Sequence, residues 1–311
     1  MTGGTGSLGS KLVKYLLANT DSVVVCYSRD PHKQNQLLAE TRNHPNLRLV
    51  IGDVRDEDRL WWMMRGATVV VHAAALKYVD LGEYNSGECS SINIDGSRNV
   101  MKTAVKIGAA RALFISTDKS VSATNIYGRT KAVAERSWIR FNMEAHNRTM
   151  LSALRYGNVF DSRGNVVEVW RNRLQQGLPI IVREPEPTRY VCLLSWGVKW
   201  IIDALATMRG GEVFIPSNLR AVSMFDLARQ FSPEDQWKRE PLGSGEKQHE
   251  VLLAKEEIPD TVNVGHFWIV NPVDYQWRYE KWTGLPVDEK QVSSGTAPRM
   301  PVGELLSLLE R

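Results

Sequence analysis

The glycine-rich stretch at residues 2–9 reads Thr2-Gly3-Gly4-Thr5-Gly6-Ser7-Leu8-Gly9. Glycines at positions 3, 6 and 9 let the backbone approach a pyrophosphate closely, and a helix expected over residues 11–17 can offer its N-terminus to the anion. A glycine-rich turn without a ligand is the alternative, and the surrounding sequence has to distinguish a ligand-binding loop from such a turn. In a dinucleotide-binding loop, the residues expected to contact the ligand are Gly3, Thr5, Gly6, Ser7, Leu8 and Gly9.

Short β-branched runs alternate with stretches of helical period between residues 22 and 160. The runs lie at residues 23–25, 47–51, 68–71, 112–115 and 151–155. One long helical stretch is expected over residues 92–107. This alternation predicts an α/β protein with a Rossmann-type doubly wound parallel sheet, covered by helices on both faces.

The alternation stops beyond Gly157, where prolines separate shorter elements. We therefore predict a dinucleotide-binding Rossmann domain over residues 1–157. Residues 158–311 are predicted to form mainly a smaller C-terminal substrate-binding lobe, from which some segments could return to the sheet. The glycine loop normally follows a buried first strand, yet this loop starts at Thr2. The first strand is therefore expected to be missing, either because the start is truncated or because another element fills its place.

Charge and composition exclude several classes of protein. The 39 lysines and arginines nearly balance the 35 acidic residues, and the net charge of +4 is spread along the chain without a basic block for nucleic acid. The three cysteines are widely spaced and indicate neither disulfides nor a zinc site. No apolar run approaches the roughly 20 residues that span a bilayer. We expect a cytoplasmic protein with no nucleic-acid, membrane or metal partner.

The residues after the strand at 23–25 bear on which dinucleotide is bound. NAD-selective sites carry an acidic residue there for the ribose hydroxyls, whereas this chain has Ser28 and Arg29. A serine and an arginine suit a 2′-phosphate, so the sequence favours NADP over NAD. An arginine at a strand end is also often only a solvated charge.

Two further strand ends are candidate cofactor contacts. Asp53 and Val54 follow the run at 47–51 and could hold the adenine edge. Small residues after the run at 68–71 would let a dinucleotide lie close to the backbone, although tight packing explains small residues equally well. These residues are Ala73, Ala74 and Ala75.

A second group of polar residues follows the strand at 112–115. Thr117, Asp118 and Lys119 come directly after it, and Tyr127 and Lys131 stand four residues apart on the next helix. That spacing puts phenol and ammonium on one face, where the ammonium could lower the pKa of the phenol. A tyrosine and a lysine at this spacing also occur by chance, but here they follow the glycine loop in an order that brings them to the ligand-binding edge of an open sheet.

Nine short motifs follow one another along the chain. They are TGGTGSLG at 2–9, YSRD at 27–30, GDVRD at 52–56, HAAALK at 72–77, STDK at 116–119, YGRTK at 127–131, RYGN at 155–158, SRGN at 162–165 and GEKQHE at 245–250. Because these motifs occur in this order, the sequence resembles the extended short-chain dehydrogenase/reductase superfamily. Within that superfamily it resembles the UDP-N-acetylglucosamine 4,6-dehydratases of the CapD-like polysaccharide-biosynthesis group. The resemblance covers nearly the whole chain.

The resemblance implies a role for each polar residue. Tyr127, assisted by Lys131, would remove the proton of the sugar's 4-hydroxyl as hydride leaves C4. Lys119 would take the C5 proton, Asp118 would protonate the departing 6-hydroxyl, and the hydride would return to C6. Thr117 would hydrogen-bond the 4-oxygen. The Asp-Lys pair is typical of this dehydratase group, and Tyr127 resembles its soluble, 5-inverting members.

The resemblance also implies the substrate contacts and the assembly. Arg189 and Glu250 could equally be surface ion pairs. Helices packed between subunits would give a homo-oligomer, a dimer or a hexamer. The residues expected at the UDP-sugar are Lys77, Asn158, Arg163, Asn165, Arg189 and Glu250.

Two departures from the family pattern and two rival functions remain open. The family's arginine two residues before the GEK motif falls on Gly243, which puts the affinity for the usual substrate in doubt. The loop at 120–124 lacks a proline that relatives often carry. A nucleotide-sugar 4-epimerase or reductase is one alternative, and a non-catalytic dinucleotide-binding protein is the other.

Overall fold

The computed structural model describes residues 1–145, 148–273, 277 and 279–310. Its α-helices are α1 Ser7–Asn19, α2 Pro31–Glu40, α3 Glu57–Met64, α4 Val79–Tyr84, α5 Ser86–Ser90, α6 Gly96–Lys106, α7 Ile126–Arg140, α8 Asn142–Ala145, α9 Val166–Gln175, α10 Leu194–Thr207, α11 Met224–Ala228 and α12 Val302–Leu309. Its strands are β1 Val24–Ser28, β2 Leu47–Ile51, β3 Val69–His72, β4 Arg111–Ile115, β5 Met150–Leu154, β6 Asn158–Val159, β7 Ile181–Glu184, β8 Thr188–Cys192, β9 Val213–Pro216, β10 Ala221–Ser223, β11 Lys238–Pro241, β12 Thr261–Asn263 and β13 Phe267–Val270.

The central sheet has the order expected of a doubly wound fold. β2 pairs with β1, and β3, β4, β5 and β9 follow one another as parallel neighbours on the other side of the glycine loop. β13 and β12 add two antiparallel strands at the far edge. The predicted Rossmann-type fold is therefore confirmed, because the buried runs of β-branched and aliphatic residues form adjacent strands that helices cover.

Residues 1–3 occupy the place of the expected first strand. The Thr2 amide donates to the Val71 carbonyl at 3.0 Å and the Gly3 amide donates to the Tyr27 carbonyl at 2.9 Å. The Ala73 amide in turn donates to the Thr2 carbonyl at 3.2 Å. The segment before the glycine loop thus joins β1 to β3, and the gap expected from the sequence is filled by these residues.

The main core lies between the sheet and its helices. Phe114 and Leu151 on neighbouring strands are fully buried, as are Leu12 of α1 and Trp138 of α7. The Trp138 indole donates to the Ala112 carbonyl at 3.2 Å, which fixes α7 against β4. This packing sets the position of the first turn of α7 at the edge of the sheet.

The C-terminal half is divided between the lobe and the sheet. A small sheet of order β10-β8-β6 and the parallel pair β11-β7 form the lobe. A second apolar cluster, which includes Trp170 and Leu227, packs beneath them. β9, β12 and β13 belong to the central sheet.

The helical stretch expected at residues 92–107 is not one α-helix. Residues Ser91–Asp95 form a π-helical turn ahead of α6. Asn93 in this turn accepts from the Leu76 amide at 2.8 Å and donates to the Thr130 hydroxyl at 3.0 Å. Such turns occur mostly where a helix has to present a side chain to a functional region. Among the described residues, no helix has both the length and the apolar character that crossing a membrane requires.

Candidate functional site

A cleft of about 820 Å³ separates the glycine loop from the C-terminal lobe. Its floor is the edge of the sheet where the parallel strands end, and its far wall comes from β7, β8 and the segment at 245–250. Open α/β sheets bind their ligands at this edge. The volume is within the range of pockets that hold a cofactor or a drug-sized ligand.

The glycine loop is shaped for close backbone approach. Gly3 has φ of +69°, and a Cβ there would lie 2.6 Å from the Ala74 amide nitrogen. A Cβ on Gly9 would lie 2.3 Å from the Gly3 carbonyl oxygen. Helix α1 begins at Ser7 and not near residue 11, so the loop leads directly into the helix N-terminus. This arrangement suits an anion at the first turn of α1.

The end of the cleft beside β1 carries cations. Arg29 and Lys33 both line it. The Arg29 guanidinium is 3.5 Å from the Asp53 carboxylate and 55% exposed, so it can turn toward a ligand. Ser28 is engaged elsewhere, since its hydroxyl accepts from Gln34 at 3.0 Å. Hydrogen bonding from Arg55 lowers the pKa of Asp53.

The other strand-end residues differ in their exposure to the cleft. Ala73 and Ala75 line it, and the Ala74 amide faces Gly3. Val54 is a core residue, because its side chain fills the space beside Gly96. The structure therefore gives Val54 a packing role and leaves the alanines next to the loop.

Helix α7 brings Tyr127 into the cleft. Asn125 caps the helix by accepting from the Gly128 amide at 2.7 Å. A Cβ on Gly128 would lie 2.2 Å from the Lys119 carbonyl oxygen, so only glycine lets α7 contact the segment at 117–119 this closely. Burial raises the pKa of Tyr127 to about 12, against the opposing effects of the Lys119 charge and the Thr117 hydroxyl.

Lys131 lies deeper than Tyr127. Its ammonium nitrogen donates to the Ile115 carbonyl at 2.6 Å and lies 3.8 Å from the centre of the Phe114 ring. Burial lowers the pKa of Lys131 to about 7, although the Glu135 carboxylate opposes this shift. In the structure, the charge of Lys119 also opposes the effect of burial on the pKa of Tyr127.

Asp118 and Lys119 form a buried ion pair at the start of a short 3-10 turn. The Thr117 hydroxyl caps this turn by accepting from the Lys119 amide at 3.3 Å. Lys119 Nζ is 3.1 Å from Asp118 Oδ1, and the Asp118 side chain is fully buried. Burial raises the pKa of Asp118, and the negative charge of Glu250 adds to the effect while Lys119 opposes it. Burial alone would lower the pKa of Lys119, but the carboxylates of Asp118 and Glu250 outweigh it and raise that pKa.

Two of the predicted substrate residues contact Lys119. Glu250 Oε1 and Asn158 Oδ1 each lie 3.1 Å from Lys119 Nζ. Arg189 Nε is 4.0 Å from Glu250 Oε1, and Lys247 Nζ is 3.7 Å from Glu250 Oε2. The structure brings these residues together, with Glu250 and Asn158 around the Asp118–Lys119 ion pair.

The SRGN segment at 162–165 lies against the glycine loop. The Arg163 amide donates to the Ser7 hydroxyl at 3.0 Å, and its guanidinium donates to the Thr5 carbonyl at 2.5 Å. Lys77 Nζ donates to the Arg163 carbonyl at 3.1 Å. Asn165 caps α9 by accepting from the Glu168 amide at 3.1 Å. The segment is therefore next to the loop as well as to the substrate end of the cleft.

Several cleft residues were not predicted from the sequence. Lys247 and Arg183 line the substrate end, and Arg183 Nε lies 3.2 Å from the Glu246 carboxylate. Glu246 also accepts from the Gly243 amide at 2.8 Å, so a cation lies close to the position where the family's arginine is absent. The GEK motif was visible in the sequence, but nothing there indicated that Arg183 on β7 would reach it.

Comparison with known proteins gives a consistent set of relatives. Residues 1–272 match the family model described as polysaccharide biosynthesis protein. A UDP-N-acetylglucosamine 4,6-dehydratase (inverting) from Campylobacter jejuni is 36% identical over 277 residues, which cover 88% of this chain and 82% of that protein. A UDP-glucose 4-epimerase from Rickettsia canadensis is 33% identical over 282 residues, covering 88% of this chain and 82% of that protein.

Solved structures extend the similarity to the whole fold. The X-ray structure of Pen from Bacillus thuringiensis has a TM-score of 0.86 at 28% identity and covers 99% of this chain and 95% of that one. DesIV, a dTDP-glucose 4,6-dehydratase from Streptomyces venezuelae, has a TM-score of 0.75 at 18% identity, with 99% and 94% of the two chains covered. At 18% identity the second similarity concerns the fold alone.

Proposed function

The chain belongs to the polysaccharide biosynthesis protein family, and we propose that within it this protein is an NADP-dependent nucleotide-sugar 4,6-dehydratase. Its substrate would be UDP-N-acetylglucosamine and its product a UDP-4-keto-6-deoxy-N-acetylhexosamine, with inversion at C5. The observation that carries the proposal is the buried Asp118–Lys119 pair beside Tyr127, since elimination of water needs an acid and a base next to the residue that takes the 4-hydroxyl proton during oxidation of C4. The name of the Campylobacter relative supports the same activity.

NADP fits the residues around the glycine loop. The positive φ of Gly3 and its closeness to Ala74 leave room for a pyrophosphate against the backbone. Arg29 and Lys33 supply cations for a 2′-phosphate. When bound, the nicotinamide would accept hydride from C4 of the sugar and return it to C6. We propose NADP in preference to NAD on the basis of these two cations.

Tyr127 and Lys131 would serve the oxidation at C4. The phenolate of Tyr127 takes the proton of the 4-hydroxyl, and the Thr117 hydroxyl donates to the 4-oxygen. The pKa of Tyr127, raised to about 12, already includes the charge of Lys119, so Tyr127 requires further positive charge to ionise at neutral pH. Lys131, with a pKa of about 7, is able to exchange protons near working pH.

Asp118 and Lys119 would serve the elimination. The new ketone acidifies C5, whose proton passes to Lys119 Nζ while Asp118 protonates the leaving 6-hydroxyl. The raised pKa of Asp118 suits a group that must hold a proton before it donates. Afterwards, a proton returns to C5 as hydride returns to C6.

The substrate's diphosphate would lie at the cationic end of the cleft. Arg189, Lys247 and Arg183 line it there, and arginine offers fixed paired donors for phosphate oxygens. We propose that Lys77, Arg163 and Asn165, which also line the cleft, contact the sugar nucleotide. We further propose a cytoplasmic homo-oligomer, at least a dimer.

A UDP-sugar 4-epimerase is the second candidate, because relatives named UDP-glucose 4-epimerase are 31–33% identical to this chain. Both reactions start by oxidising C4, so only the elimination separates them. The test is to incubate purified protein with UDP-N-acetylglucosamine and NADP and to follow the sugar by mass spectrometry. Loss of one water supports the dehydratase, and an unchanged mass with a 4-epimer supports the epimerase.

A further inference from the structure

Glu250 is one of three residues whose side-chain oxygens contact the Lys119 ammonium. An ammonium has three N–H donors. Three oxygens lie 3.1 Å from Lys119 Nζ: Oε1 of Glu250, Oδ1 of Asp118 and Oδ1 of Asn158. All three N–H groups are therefore used within the protein. While protonated, Lys119 can neither bind a substrate proton nor act as a base at C5.

The two carboxylates differ in the charges around them. Glu250 faces Lys119, Arg189 at 4.0 Å and Lys247 at 3.7 Å, so three cations keep it ionised. Asp118 faces Lys119 and the negative charge of Glu250. Asp118 Oδ2 and Glu250 Oε2 are both buried without a hydrogen-bond partner among the described residues, so the charges around the two carboxylates decide which of them takes a proton. Of two carboxylates at equal distance, Asp118 is the better proton acceptor.

We propose that Glu250 is a positioning residue of the acid–base pair, which holds the Lys119 ammonium and directs its proton to Asp118. The inference rests on the proposed 4,6-dehydratase function. In the transfer one N–H bond of Lys119 breaks, an O–H bond forms on Asp118, and the nitrogen regains its lone pair. A single internal step then produces both the base for C5 and the acid for the 6-hydroxyl. Glu250 is accordingly assigned to the acid–base pair and not to the sugar nucleotide.

Substitutions that change only charge test this role. Glu250→Gln keeps an oxygen acceptor for Lys119 but removes a negative charge, and Asn158→Asp adds one. A carboxylate this close raises the pKa of an ammonium by about 1 to 3 units. The groups that face Lys119 and contribute to its titration are Asp118, Glu250, Arg189, Lys247, Tyr127 and Cys192.

The readout is the rate at which deuterium from D₂O enters C5 of the nucleotide sugar, measured by mass spectrometry between pH 6 and 10. The active pair holds one proton, so the rising limb of this profile reports loss of the second proton from Asp118 and Lys119 together; it is expected to move down by about 1 to 3 pH units in Glu250→Gln and up in Asn158→Asp. The double variant should return toward the wild type, since it restores the charge. Glu246→Gln is the control: Glu246 lies in the same segment but pairs with Arg183 at 3.2 Å, so the profile should stay in place.

The Michaelis constant distinguishes a role of Glu250 in positioning Lys119 from a role in binding the substrate. Loss of Glu250 leaves Arg189 and Lys247 uncompensated, so the KM for UDP-N-acetylglucosamine should not rise. A raised KM with an unshifted profile in Glu250→Gln would make Glu250 a substrate contact and overturn the inference. If that variant does not fold, an unshifted profile in Asn158→Asp overturns it instead. A wild-type protein that releases no water from the substrate refutes the proposed function, and this role falls with it; a shift of the profile can fail only in a wild type that dehydrates the substrate.

Discussion

Replacing Lys119 by methionine removes the cation between two buried carboxylates and separates oxidation from elimination. At an effective dielectric constant of 20, unit charges 3.1 Å apart interact by about 5 kcal/mol. Desolvation offsets part of this, and breaking a buried pair typically costs about 3 to 5 kcal/mol of folding free energy. Protonation of Asp118 in the variant limits the cost. We expect Lys119→Met to fold with a lowered melting temperature.

The substitution should also lower the rate of turnover. General acid–base groups contribute about 10² to 10⁴ in rate, so turnover to the 4-keto-6-deoxy sugar should fall by at least 100-fold. Tyr127 and Lys131 are unchanged, so a single-turnover absorbance trace should still show reduced nicotinamide, formed more slowly because Tyr127 loses the nearby Lys119 charge. Lys14→Met is a matched control, since Lys14 is 42% exposed and pairs with Glu40 on the surface. Undiminished dehydration by Lys119→Met would refute the assignment of Lys119.

Three further predictions concern the cofactor site, the packing of α7 and the buried lysine. Arg29→Ala should raise the KM for NADP about tenfold and leave the KM for NAD unchanged, since one charge-assisted hydrogen bond is lost; equal effects on both cofactors would argue against a 2′-phosphate contact. Gly128→Ala should destabilise the fold by about 1 to 3 kcal/mol in chemical denaturation, because its Cβ would lie 2.2 Å from the Lys119 carbonyl, whereas Gly87→Ala, with open space around it, should not. The folded-state pKa of Lys131, about 7, lies below its unfolded value of 10.5, so the unfolded chain binds more protons between these pH values. The free energy of unfolding should therefore rise from pH 7 to pH 10 more steeply in the wild type than in Lys131→Met, and parallel curves would contradict the lowered pKa.

The sequence predicted most of the nucleotide-binding half because its signals are local. The glycines at 3, 6 and 9 and the β-branched runs are read within a few residues, and the strands formed close to where they were expected. Family membership, predicted from the order of the motifs, is likewise confirmed. Local patterns failed at residues 1–3, whose strand position is defined only by pairing to β1 and β3.

The contacts that define the site join distant parts of the chain. Arg163 reaches Ser7 across 156 residues, and Glu250 reaches Lys119 from the far wall of the cleft. Neither contact has a periodic pattern in sequence. The π-helical turn was missed for a similar reason, since Asn93 bonds to groups on either side of it in the chain. Motif spacing could therefore indicate which residues share the cleft, but not which of them contact one another.

The most direct test is the mass of the nucleotide sugar after incubation of the wild-type protein with UDP-N-acetylglucosamine and NADP, with the absorbance of reduced nicotinamide recorded alongside. We predict a product lighter by one water and no net accumulation of reduced cofactor, because the hydride taken from C4 returns to C6. An unchanged mass accompanied by a 4-epimer, or no turnover, would contradict the assignment of this protein as a 4,6-dehydratase.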